Sequence, residues 1–300
     1  MTASSSFRQL IDSLPQQAVQ QAIAAAYKEV DRADRELQTL ASEMTGGSSD
    51  ISDSQRGKNY NLNRYSDVVP YNRNRVRLHG TSDYINASHI TLPAQLSTNR
   101  YIATQGPLPH SVGDFWRMVW EQDAKAIVML TNTVEALRSK CAEYWPVQVG
   151  EEKKWGDMAV RLEDERPMLG CLSVVVRRIS VAAKGVERRV TQFHYTEWPD
   201  HGVPRSPVPL LRIIDELRKN VSPSSESPVV VHCSAGVGRT GTFVIIDAAK
   251  GYFEKHQDYQ GDYVADAFRS LRSQRTLMVQ TLAQYMMCYQ VINYILNSAS

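Results

Sequence analysis

Cys233 and Arg239 stand with five residues between them in the run Val231-His232-Cys233-Ser234-Ala235-Gly236-Val237-Gly238-Arg239-Thr240-Gly241. Cysteine attacks as its thiolate, and a free thiol ionises near ~8.5, so the anion needs positive potential around it at neutral pH. This run supplies it from several sources. Glycines 236, 238 and 241 permit a turn with inward N–H groups, a helix starting near Arg239 adds its positive end, and Arg239 and His232 offer charge. The planar fork of an arginine also holds two phosphoryl oxygens at once, which a lysine cannot do. Thr240 is placed to donate its hydroxyl to the sulfur as Cys233 leaves. The chemistry these residues spell is phosphoryl transfer onto sulfur and off again, with the backbone from Ser234 to Gly238 cradling the phosphate.

Two other readings fit parts of the run. A lone cysteine behind a β-branched strand such as Val229–Val231 is commonly a small core residue. A nucleotide-binding loop is also a glycine-rich cradle, but it ends in Gly-Lys-Ser/Thr, and this one ends in Gly-Arg-Thr with a cysteine at its head. No other cysteine or histidine lies at zinc-ligand spacing around Cys233, so neither metal nor cofactor is expected.

Seven further motifs stand in order around that loop. They are Asn-Arg-Tyr-Ser-Asp at 63–67, Asp-Tyr-Ile-Asn-Ala-Ser at 83–88, Tyr-Ile-Ala-Thr-Gln-Gly-Pro at 101–107 and Phe-Trp-Arg-Met-Val-Trp at 115–120. Then follow Lys-Cys-Ala-Glu-Tyr-Trp-Pro at 140–146, Trp-Pro-Asp-His-Gly-Val-Pro at 198–204 and Gln-Arg-Thr-Leu-Met-Val-Gln-Thr at 274–281. From Asn63 to Gln284 the chain resembles the protein tyrosine phosphatases, in their phosphotyrosine-specific, non-receptor, single-domain form.

The resemblance implies roles. Asp200 becomes the general acid that protonates the leaving phenolate and later takes a proton from water, a contribution of roughly 10²–10⁴-fold. Trp198 belongs to the hinge of the loop carrying it; read alone, Pro-Asp-His-Gly is ordinary turn chemistry. Gln280 places the hydrolytic water, with Gln284 one helical turn later. Glu135, five residues before Lys140 as in the family, pairs with Arg239 and fixes its orientation, and Lys140 is a supporting residue. Tyr65 makes the cleft deep enough for phosphotyrosine and too deep for phosphoserine, and Asp67 holds the main chain of a peptide. The implied partners are phosphotyrosine-containing proteins, with vanadate as an inhibitor. Competing readings are a phosphotyrosine-binding module without turnover and a phosphatase of broader specificity.

None of the departures from the family pattern touches the chemical step. Ser66 stands where many members carry a basic residue, and the usual Lys-Asn-Arg is blurred into Lys58-Asn59-Tyr60. Leu277 narrows the way to a second aryl-phosphate pocket near Arg272, and His201 follows the expected acid.

These residues need a scaffold. Apolar patterning predicts strands at 84–90, 101–104, 126–130, 172–181, 188–195 and 229–232, and helices opening at Ser111, at Ser206-Pro207, around Val264–Leu271 and beyond Gln280. The fold class is α/β (α+β): a single domain with a twisted mixed central sheet flanked by helices and a phosphate-binding strand-loop-helix. Val19, Ile23, Tyr27, Val30, Leu37, Leu40 and Met44 mark an amphipathic helix, so residues 1–57 read as a helical segment packed on the catalytic unit, 58–300, through a flexible connector at 45–57. With 300 residues, 42% hydrophobic, the chain can bury a sizeable core, and a net charge of +2 argues against a nucleic-acid partner. Four cysteines without paired spacing and no run near ~20 apolar residues favour a reduced, cytoplasmic, monomeric protein with no membrane span. A catalytic unit cut from a receptor would read the same.

Overall fold

A computed structural model of the chain describes residues 6–43, 50–80, 82–199, 202–220 and 227–298. Among the described residues the strands are β1 (Arg75–Arg77), β2 (Tyr84–Thr91), β3 (Arg100–Thr104), β4 (Ala126–Met129), β5 (Val134–Glu135), β6 (Arg138–Ser139), β7 (Glu152–Trp155), β8 (Met158–Met168), β9 (Cys171–Ala183), β10 (Val186–Tyr195) and β11 (Val229–His232). The helices are α1 (Phe7–Asp12), α2 (Gln17–Glu43), α3 (Ser52–Gln55), α4 (Gly57–Tyr60), α5 (Val112–Glu121), α6 (Val208–Asn220), α7 (Gly238–Phe253), α8 (Tyr263–Gln274) and α9 (Leu282–Ser298).

Nine strands form one mixed sheet in the order β1-β2-β3-β11-β4-β10-β9-β8-β7, and β5 and β6 make a separate hairpin. The strands β3, β11, β4 and β10 run parallel, and the flanks are antiparallel. Alternation explains why the parallel strands sit at the centre. Val229 and Val231 of β11 join one apolar cluster with Val128, Phe243 and Leu271, while Val230 joins another with Ile127, Ile102 and Trp116. Strands covered on both faces must be apolar on both, and the cysteine loop leaves the carboxyl end of this central strand.

Several expectations change. Strands β1, β5, β6, β7 and β8 fall outside the expected ranges; β8 escapes the apolar pattern because it runs from Met158, Val160 and Leu162 into Glu163-Asp164-Glu165-Arg166. Those charges are matched across the sheet, Glu165 by Arg177 and Glu163 by Arg189. The described part of the expected connector is ordered: Asp53 and Ser54 are buried, and Asp53 Oδ2 accepts from Nε of the buried Arg75 at 2.8 Å. Ser111 does not cap α5 with its side chain; its hydroxyl turns back to Leu108.

Helix α2 packs against α8 and α9. Ile23 and Tyr27 are buried, Val19 and Val30 lie against the same core, and the Tyr27 ring stacks on Phe268 of α8 at 5.5 Å. The expectations for Leu37, Leu40 and Met44 concern side chains outside the described residues. Among the described residues, no helix is long and apolar enough to cross a membrane.

Candidate active site

The cysteine loop spans the gap between β11 and α7. Gly236 N–H points at Cys233 Sγ, 3.3 Å away. The turn that allows this has φ +73° at Gly236, and a Cβ there would lie 2.1 Å from the Thr104 carbonyl oxygen, so only glycine fits. Gly238 and Gly241 serve differently from expectation: both lie within α7, and a Cβ would meet Gln284 at 2.9 Å or the Val279 nitrogen at 2.6 Å. They permit close approach rather than a turn.

The loop carbonyls are turned away from the cavity by a residue the sequence reading missed. Arg275 is fully buried and donates from Nε to Gly236 O at 3.0 Å and from Nη2 to Ala235 O at 3.1 Å. Gly106 N–H takes Ser234 O at 3.0 Å. With those carbonyls held behind, the N–H groups are left to the phosphate side. Burial lowers the Arg275 guanidinium to about 10, which leaves it charged at neutral pH. The available signal was an arginine two residues ahead of the apolar run Leu277-Met278-Val279.

Arg239 is fixed before any substrate enters. Its Nη1 and Nη2 meet Glu135 Oε1 and Oε2 at 2.7 and 2.9 Å, Nη1 also donates to Leu130 O at 2.9 Å, and Nη2 reaches Pro199 O at 3.2 Å. Glu135 is braced in turn by Thr131 Oγ1 and Asn132 N–H. Burial works to raise the Glu135 carboxyl, but the hydrogen bonds and charge of Arg239 outweigh it and hold it below the ordinary carboxylate range. The Trp198 ring is buried 6.0 Å from the same guanidinium.

A cavity of about 340 Å³ over the loop brings together Tyr65, Lys140, Cys233, Arg239, Gln280 and Gln284. Tyr65 OH lies 2.9 Å from Ser234 Oγ, and Ser234 gives its own hydrogen to Lys140 O, so the tyrosine is the donor. Asp67 and Ser66 are exposed at the rim. Asp200 and His201 lie outside the described residues; the flanking Pro199 carbonyl contacts Arg239, and Gly202 lines the cavity. Gln280 precedes α9, whose first turn is closed by a reciprocal cap: Thr281 N–H to Gln284 Oε1 and Gln284 N–H to Thr281 Oγ1, both 3.2 Å. The Gln284 amide oxygen is therefore a cap first.

One role expected from sequence is corrected, that of His232. Thr240 Oγ1 is buried and makes no hydrogen bond among the described residues, and Gly236 N–H points at the sulfur. His232 brings no positive charge: complete burial lowers it to about 4. Its Nδ1 faces Cys233 O at 3.1 Å and its Nε2 faces Tyr144 OH at 2.8 Å, so Nδ1 carries the hydrogen and Tyr144 donates. Tyr144 accepts from Gln192, whose amide oxygen accepts from the buried Arg177. Arg272, beside which a second phosphate pocket was considered, is buried against Asp34 and Asp31 at 2.7 and 3.0 Å.

A central parallel strand, a cysteine-arginine cradle at its carboxyl end and a tyrosine wall define the protein-tyrosine phosphatase class of catalytic unit. The chain belongs to the protein-tyrosine phosphatase family, whose model matches residues 59–294. It is 42% identical over 229 residues to tyrosine-protein phosphatase 1 of Caenorhabditis elegans, covering 74% of this chain and 22% of that protein. It is also 42% identical over 255 residues to receptor-type tyrosine-protein phosphatase C of Rattus norvegicus, covering 81% and 19%. The chain thus spans only about a fifth of the length of these relatives. Among solved structures it matches the catalytic domain of human protein tyrosine phosphatase non-receptor type 18, with a TM-score of 0.83 at 33% identity over 96% of this chain and 99% of that one. A complex of the same phosphatase with phosphorylated peptides matches with a TM-score of 0.81 at 32% identity, over 91% and 99%.

Proposed function

We propose that this chain hydrolyses phosphotyrosine in proteins through a cysteinyl-phosphate intermediate. The observation that carries the reading is the convergence of Cys233, a guanidinium fixed by Glu135 and the Tyr65 ring on one cavity. The Cys233 thiolate attacks phosphorus, the bond to the aryl oxygen breaks, and Asp200 gives its proton to the leaving phenolate. A water then attacks the same phosphorus, the S–P bond breaks with its electron pair returning to sulfur, and the Asp200 carboxylate takes the proton. Gln280 orients that water. Arg239 follows the phosphoryl oxygens through both transition states, and its preset plane means little reorganisation is needed during reaction.

The Tyr65 ring lining the cavity supports tyrosine as the phosphorylated residue, and exposed Asp67, which also lines it, supports a peptide backbone as the group held there. The test is release of phosphate from paired phosphotyrosyl and phosphoseryl peptides. Cys233→Ser abolishes turnover while binding persists, and Asp200→Ala slows turnover and retains substrate. Normal turnover in either variant, or equal rates on the two peptides, defeats the reading.

A further inference from the structure

The four residues 277–280, which end in Gln280, hold a backbone that L-residues avoid. Leu277 and Val279 sit at φ +55° and +56°, the left-handed region, which is least favourable for a β-branched side chain. Such a conformation persists only where its surroundings over-determine it. The constraints can be named. Arg272 Nε and Nη2 hold the carbonyls of Met278 and Val279 at 2.6 and 3.2 Å, and Val279 N–H reaches Val237 O in the cysteine loop at 3.2 Å.

The remaining constraints come from helix α2, more than 240 positions earlier. Asp34 Oδ2 accepts from Leu277 N–H at 3.1 Å and from Arg272 Nη1 at 2.7 Å, and Asp31 accepts from Arg272 Nη2 at 3.0 Å. Tyr27 OH donates to Gln280 O at 2.7 Å. Tyr27, Asp34 and Arg272 are all buried, so water does not compete for these bonds. The segment cannot drift toward α7 either, because Gly241 already abuts Val279.

We propose that Tyr27 and Asp34 are positioning residues for hydrolysis: from α2 they hold the strained segment, and through it the Gln280 amide, in register with the cysteine loop. The proposal rests on the reading of Gln280 as the group that orients water. In the second step the oxygen of an alcohol can replace that of water, giving a phosphate ester instead of inorganic phosphate while sulfur leaves in the same way. A displaced Gln280 weakens the preference for water and slows this step alone.

The experiment uses Tyr27→Phe and Asp34→Asn in the full chain, with p-nitrophenyl phosphate as substrate and glycerol as the competing acceptor. In both variants kcat falls about three- to tenfold, the size expected for one lost buried hydrogen bond. KM falls with it, so that kcat/KM, which ends at formation of the phosphoenzyme, is kept. A burst of p-nitrophenol appears, and the ratio of glycerol phosphate to inorganic phosphate rises. That ratio counts only molecules that turn over, so partial unfolding does not imitate the result. An unchanged ratio and unchanged KM in both variants overturn the proposal. Absence of any phosphoenzyme trapped by rapid denaturation from wild type and variants alike overturns the cysteinyl-phosphate reading, and the proposal with it.

Discussion

Arg239 and Glu135 face each other through two parallel hydrogen bonds of 2.7 and 2.9 Å, so the plane of the guanidinium is set by a carboxylate on the separate β5–β6 hairpin. Glu135→Gln puts an amide NH₂ against one of the guanidinium donors. A charged hydrogen bond is worth about 1.5–3 kcal/mol, so kcat/KM on a phosphotyrosyl peptide falls roughly ten- to a hundredfold. The pair also sets a pH dependence. Because the folded carboxyl is held below its ordinary value, its stabilisation is complete above about pH 4.3 and is lost as pH falls through the folded value. Urea midpoints of wild type and Glu135→Gln therefore differ most near pH 7 and converge in acid.

Gly236→Ala tests the turn beneath the sulfur. A Cβ 2.1 Å from Thr104 O at φ +73° forces either the loop or β3 to move. Activity falls at least a hundredfold, and stability by about 1–3 kcal/mol. Gly57→Ala, where nothing lies within 4 Å, changes stability by less than about 0.5 kcal/mol. Thermal melts and peptide turnover read both.

At Tyr65 ring and hydroxyl can be separated. Tyr65→Phe keeps the wall and removes one donor from Ser234, so kcat/KM stays within about threefold of wild type. Tyr65→Ala removes the wall. Turnover of phosphotyrosyl peptide drops at least tenfold while turnover of phosphoseryl peptide does not, and a parallel loss on both would show that the ring does not select.

Buried histidines leave a second pH signature. His194 and His232 are lowered to about 3 and about 4 by burial, so both are neutral from pH 5 to 8 and their NMR resonances do not shift in that window. Unfolded imidazoles bind protons from about pH 6.5 downward. Stability present above that pH declines as pH falls toward the folded values. Variation of activity between pH 5 and 8 then belongs to other groups.

Oxidation should single out one thiol. Burial pushes the Cys141 and Cys288 thiols up and keeps them inert, whereas Cys233 opens onto the cavity with an N–H directed at its sulfur. Peroxide at neutral pH inactivates reversibly, vanadate bound in the cradle protects, and mass spectrometry finds the modified peptide at Cys233. Modification spread evenly over the four cysteines contradicts this.

The cysteine loop was legible because its chemistry is packed into eleven consecutive residues, and the valine run before it announces a strand. Arg275, Arg177 and Asp34 were not. Each acts through carbonyls or side chains supplied by distant segments, and nothing local distinguishes such a residue from a surface charge. Strand β8 was hidden for a related reason. Its charged half is balanced by Arg177 on the adjacent β9 and Arg189 on β10 beyond it, and that pairing exists only once the sheet is assembled. His232 shows the opposite error, where a suitable side chain beside the nucleophile was credited with a charge that its burial removes.

The tightness around Gly106 divides the molecule for anyone wishing to alter it. A Cβ there would lie 2.9 Å from the carbonyl oxygens of Cys233 and Lys140 and 3.0 Å from the Cys141 side chain, so the backbone packed behind the cysteine loop has no slack. Exposed Lys58, Ser66 and Asp67 carry no such constraint. Under the proposed function, a library at Ser66, beside the Asp67 proposed to hold the peptide backbone, changes which peptides dock while the machinery beneath stays untouched.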